Sequence, residues 1–203
     1  MANTNSIAHV LHDTGLAAWF GGSLMGAIGL NGAAASASDM KERTPIADVG
    51  WARWTPVNFV GIGAHLLGGA LLVAGNKGRL VGQQGVASTS GMKTALTAAA
   101  LAATGWARLV GRQIQDAGPV MAAGPTDPTD DTPDDVARAM RKQKVLQWVI
   151  PATTGALVVL SAYMSEQQRS TKVMEGTIKR LMPGGGDHAG GQGTIGRLIE
   201  AVS

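Results

Sequence analysis

Three polar side chains interrupt runs of sequence that otherwise carry no charge: Asn31, Asn58 and His65. Of these, His65 has the chemistry to act as more than glue. An ionisable group at the depth of a bilayer core points to function by default, because it is costly to bury without a partner. Its imidazole can bond a backbone carbonyl or Ser23 and so fix the register of two helices, a common use of polar groups between helices in lipid. It can also ligate haem or a metal ion, or relay a proton. In an antiparallel helix pair His65 is expected near Gly22 and Gly26.

His12 is the second histidine of interest, followed by Asp13 and Thr14. Either of the latter can cap a helix that starts there. His65 and His12 together would form a haem- or copper-binding pair. At a rise of ~1.5 Å per residue the two differ in depth by about half a bilayer, so a shared site needs a tilt or a kink. Two histidines are too few ligands for a dedicated metal site, and none is assigned. Asn31 and Asn58 lie nearer one end of the same two helices and are expected to meet. His9 and His188 fall outside the apolar runs and receive no role.

Catalytic motifs are missing from the sequence. It holds no Walker loop, no His-Glu-x-x-His, no Gly-x-Ser-x-Gly and no dinucleotide-binding glycine pattern in a strand–helix setting. No cysteine is present, which excludes disulfide scaffolds, thiol enzymes and iron–sulfur ligation. Paired carboxylates for ion coupling are also missing from the apolar runs. No catalytic residue is assigned, and the chain is read as non-enzymatic.

The elements that hold these side chains follow from composition. Charged residues are only 15% of 203, against about 25% in soluble domains. Four apolar runs stand out, at about 14–38, 55–75, 91–111 and 145–164. Each approaches the ~20 residues that cross a bilayer core. The first, second and fourth are apolar all round, without the polar face of a soluble surface helix. The third, rich in Ala, reaches that length only if Lys93 and Arg108 extend outward. The expected fold is therefore all-α, an integral membrane bundle of four transmembrane helices over residues 1–164.

Residues 39–53 read as a charged loop, and 113–137 as a polar acidic loop whose prolines and like charges oppose compact structure. Thr132, Pro133, Asp134 and Asp135 read as a helix start, with Thr132 as the cap. Residues 165–183 read as a polar helical extension and 184–193 as a flexible Gly-rich linker. In the tail, 194–203, Ile195, Leu198, Ile199 and Val202 fall on one helical face and suit docking to a partner.

Small residues spaced along the first two runs suit close helix packing: Ala18, Gly22, Gly26, Gly61, Gly68 and Gly69. Lys and Arg divide almost equally between the two membrane faces. The tryptophans do not: Trp51, Trp54, Trp106 and Trp148 fall on one face. With Arg53 and Arg108 they form a set of interface anchors. Residues 1–13 lack Lys and Arg, so despite Ala35-Ser36-Ala37 the first run is read as retained rather than as a cleaved leader. The net charge of +3 is no nucleic-acid footprint.

The stretch from His12 through Trp19 to Gly21 and Gly22 resembles the first helix of two families of small membrane proteins. These are the copper-resistance D-type proteins and the TMEM205-like family. The likeness covers one helix. It implies an integral four-helix unit and, for the copper group, metal handling. The Met and His clusters of copper transport are missing here. The composition resembles that of high-GC actinobacterial membrane proteins. The Gly-rich linker followed by Thr194 to Ile199 is similar to the peptides that dock cargo into encapsulin shells.

The expected protein is thus a multi-pass component of a bacterial inner membrane. Its partners are the lipid bilayer, other subunits or itself, and a binder for the tail, with no nucleic acid. Its expected role is that of an accessory, scaffold or assembly subunit. The alternatives are a haem- or metal-handling redox protein using His65, with or without His12, and a small-solute facilitator lined by the first two runs.

Overall fold

A computed structural model describes the backbone of residues 2–75 and 84–181, and the side chains of 6–75 and 90–164. The chain is mostly helical, 83%, and the described residues form four long helices and one short one. It divides into two compact units, 1–161 and 162–203. The linker and the docking tail expected at 184–203 lie outside the described residues. In the second unit the described residues, 162–181, are helical.

Helix α1 runs from Ala2 to Met25. It starts well before Thr14, so His12 lies inside it rather than at its mouth, and neither Asp13 nor Thr14 caps it. A π-helical turn follows at Gly26–Leu30, then the short helix α2 at Asn31–Ala35. The Asn31 N–H bonds the Gly26 carbonyl five residues back. One extra residue in a turn rotates everything after it. That rotation carries Asn31 into the interior, where it is 8% exposed.

Helix α3 spans Arg43–Gly75. The expected loop at 39–53 is therefore helical from Arg43 onward. Helix α4 spans Gln84–Asp116 and ends on Gly118, whose φ of 72° permits the left-handed turn that stops it. Helix α5 spans Asp134–Leu181.

The acidic, Pro-rich connection is not loose. Strands β1 (Ala122–Gly124) and β2 (Asp127–Pro128) pair antiparallel, Ala122 opposite Pro128 and Gly124 opposite Asp127. Ala122 is fully buried and Thr126 nearly so. Arg43 donates to the carbonyls of Ala37 at 3.0 Å and Ala123 at 2.8 Å, tying this hairpin to the start of α3. Thr132 does not cap α5. Its hydroxyl instead donates to the Met121 carbonyl and accepts from the Thr129 N–H at 2.8 Å. Side chain to backbone bonds thus supply the order that the composition argued against.

Within the first unit, α1 and α3 pack antiparallel at close quarters. A Cβ on Gly68 would stand 2.5 Å from the His12 nitrogen and 2.6 Å from the Ala8 carbonyl oxygen. One on Gly15 would stand 2.5 Å from the His65 nitrogen. Ala18 meets Gly61, and Gly69 lies under the His12 ring. Gly22 and Gly26 face tryptophans instead, the indoles of Trp54 and Trp51. A core of Ala100, Ala103, Ala107 and Val110 from α4, with Met140, Leu146 and Ile150 from α5, packs with Trp19 and Ile62.

Among the described residues two helices, not four, are long and apolar enough to cross a membrane: α3, and α5 over Asp134–Met164. Helix α1 is polar over its first turns and carries His9, His12 and Asp13, while α4 carries Lys93, Arg108 and Arg112. Only 22% of the apolar stretch of α3 and 28% of that of α5 are buried inside the protein. The core helix of a soluble domain is mostly buried. Large apolar side chains are exposed on all four long helices, among them Val10, Val60, Leu109 and Val159, each more than 60% exposed.

Candidate functional site

The structure brings His12 and His65 together. The rings stack with centroids 4.0 Å apart and planes 18° from parallel. His12 Nδ1 lies 2.9 Å from the His65 carbonyl oxygen, and His65 Nδ1 lies 3.0 Å from the His12 carbonyl oxygen. A carbonyl can only accept, so both Nδ1 atoms carry hydrogen and donate. The depth mismatch expected between these residues does not arise, because α1 extends through His12 and antiparallel packing sets it beside His65. Ser23 is not a partner of His65. It donates to the Phe20 carbonyl at 2.9 Å. Trp19, fully buried, meets the His65 ring edge-on at 6.2 Å and donates to Thr104 at 3.1 Å.

Two axial haem ligands point nitrogen toward nitrogen across the iron. Stacked rings do not present that geometry. Among the described residues, no group of three or more His, Asp or Glu is placed to hold a metal ion. The pair cross-links α1 to α3.

A cavity of about 450 Å³ lies between the helices on the side of the β hairpin. Phe59, Ile62, Leu101 and Ile150 give it apolar walls. From α3 it takes Thr44, Asp48, Trp51, Trp54, Thr55 and Asn58. From α4 it takes Arg108, Arg112 and Gln115, and from α5 Gln143 and Gln147.

No known protein family, curated protein or solved structure matches this chain.

The lining polar groups fall into two sets. One set is satisfied. Asn31 donates to Gln147 Oε1 at 2.8 Å and accepts from the Trp51 indole at 3.1 Å, and Gln115 bonds Asp48. Asn31 and Asn58 therefore do not meet, since the π turn aims Asn31 at α5. The other set is open. Thr44 Oγ1, Asn58 Oδ1 and Gln143 Oε1 are buried and have no hydrogen-bond partner. An unsatisfied buried polar atom costs about 1–3 kcal/mol. All three residues line the cavity.

The tryptophans expected as interface anchors divide. Trp106 and Trp148 are exposed, 57% and 48%, as is Arg53, whereas Trp51, Trp54 and Arg108 line the cavity. The sequence reading missed Thr44, Asp48, Arg112, Gln143 and Gln147. A signal existed. Thr44, Asp48, Trp51, Thr55 and Asn58 recur at alternating steps of four and three, one face of a helix. Arg108 and Arg112 are four apart, as are Gln143 and Gln147.

Proposed function

We propose that this chain is a small multi-pass membrane protein that holds a small polar-headed ligand between its helices. The observation that carries this proposal is the cavity, three of whose lining residues, Thr44, Asn58 and Gln143, each hold a buried polar atom without a partner among the described residues. Of the roles weighed from the sequence, solute handling is favoured over scaffolding, and the lining extends from the first two apolar runs to all four long helices. Cavities of a few hundred cubic ångströms with apolar walls and a few convergent polar groups are the usual form of small-ligand sites.

The membrane setting is supported by the exposed apolar faces of α3 and α5 and by similar residues on α1 and α4. In water, contiguous apolar surface on this scale promotes association. Against lipid it is the expected surface, and α1 and α4 are read as membrane-embedded, their polar residues shielded by packing on α3 and α5. Phe59 and Leu109 line the cavity and are also exposed, so it reaches the protein surface.

Native mass spectrometry of the protein extracted in mild detergent tests the proposal. A bound small molecule is expected on the wild type and is expected to be depleted in the Asn58→Leu, Gln143→Leu double variant. Identical ligand-free spectra for both would overturn it.

A further inference from the structure

We infer that the cavity ligand carries a phosphate-type anion bearing hydroxyl groups, an inference that rests on the ligand-binding proposal above. Arg108 and Arg112 stand one turn apart on the same face of α4 and both line the cavity. Arg108 is half-buried and Arg112 is exposed, so the pair runs from the cavity toward its mouth. Among the described residues neither has an ion-pair or hydrogen-bond partner. Among the described residues the only ion pair joins Lys144 to Asp127. Two unpaired guanidiniums four residues apart form a fork that suits an oxyanion.

The remaining groups say what else the ligand carries. Asn58 Oδ1 and Gln143 Oε1 accept hydrogen bonds and lack donors. Asp48 is the single acidic group of the lining, and Gln115 bonds it. The acceptors suit hydroxyls and the arginines suit the phosphate. Trp51, Trp54 and Phe59 offer apolar surface for the rest of the molecule. Two sources share this chemistry: an anionic phospholipid with a hydroxylated headgroup, and a free polyol phosphate.

The experiment reconstitutes the full chain into nanodiscs of equal phosphatidylglycerol and phosphatidylcholine and reads retained lipid by native mass spectrometry. A parallel arm titrates detergent-solubilised protein with glycerol 3-phosphate. Wild type is expected to retain phosphatidylglycerol in preference. Arg108→Gln and Arg112→Gln should each weaken that preference by about tenfold, the scale of one lost charge-assisted bond. Arg112 is exposed, so its replacement leaves the fold intact, and an unchanged melting temperature verifies this. Binding of glycerol 3-phosphate with the same arginine dependence supports the inference with the free ester as the source. Equal retention of both lipids, or retention indifferent to both arginines, overturns the anionic assignment while leaving ligand binding in place. A wild type with no bound species in either arm overturns the ligand-binding proposal itself.

Discussion

His12 and His65 hold each other by the backbone: each ring donates from Nδ1 to the other residue's carbonyl oxygen, at 2.9 and 3.0 Å. The reciprocity fixes the register of α1 against α3 to one residue. It also fixes the chemistry of both rings, since a neutral imidazole that donates from Nδ1 leaves Nε2 as its lone-pair nitrogen. Nitrogen-15 NMR at neutral pH should therefore find the Nδ1–H tautomer at both positions. The Nε2–H tautomer at either one would contradict the cross-link.

His65 is 2% exposed, so its loss should be felt in stability. His65→Phe keeps a ring in place but removes the donor to the His12 carbonyl oxygen, while the His12 ring keeps its bond to the backbone carbonyl of residue 65. It should cost about 1–3 kcal/mol, read as a lower melting temperature in detergent. A variant as stable as the wild type would show that the ring only fills space.

The close approach of α1 and α3 depends on particular glycines. Gly15→Ala and Gly68→Ala place a Cβ against backbone atoms that cannot swing aside, and each should destabilise by about 1–3 kcal/mol. Gly21 and Gly63 have open space where a Cβ would stand. Alanine there should be neutral or stabilising by up to ~1 kcal/mol, because Ala favours the helix over Gly. Equal effects at all four positions would remove the packing account.

Much of the helical layout was legible because apolar runs of span length are a strong signal, and α3 and α5 contain two of them. What the runs concealed was where helices begin. Residues 2–14 and 43–54 are polar enough to read as flanks, yet they are helical, and Ala8 and His12 pack on Gly68. The site was harder to see because its members come from several helices that lie far apart in the chain. Asn31 illustrates the limit: its partners Trp51 and Gln147 depend on a π turn, and a periodicity of 3.6 residues does not register one extra residue in a turn.

The hairpin at 122–128 should lose order with its side-chain ties. Arg43→Gln removes the guanidinium that reaches the Ala37 and Ala123 carbonyls. Thr132→Val removes the hydroxyl that joins Met121 to Thr129. Each should raise hydrogen exchange across 120–129 and cost about 1 kcal/mol. Unchanged protection in both variants would show that burial of Ala122 and Thr126 suffices.

Exposed apolar surface on all four long helices predicts that carbonate-washed membranes retain the protein. Release of most of it into the wash would point to a soluble assembly that covers those faces with other protein.

Ligand occupancy of the cavity is tested most directly by filling it. Gly105 lines the cavity with nothing within 4 Å of where a Cβ would stand, so Gly105→Leu plugs the space without a backbone clash. Native mass spectra of wild type and Gly105→Leu, purified side by side from membranes, are the measurement. The account predicts a bound small molecule on the wild type, none on Gly105→Leu, and equal melting temperatures once the wild-type ligand is stripped. The same bound mass on both proteins, or on neither, would contradict it.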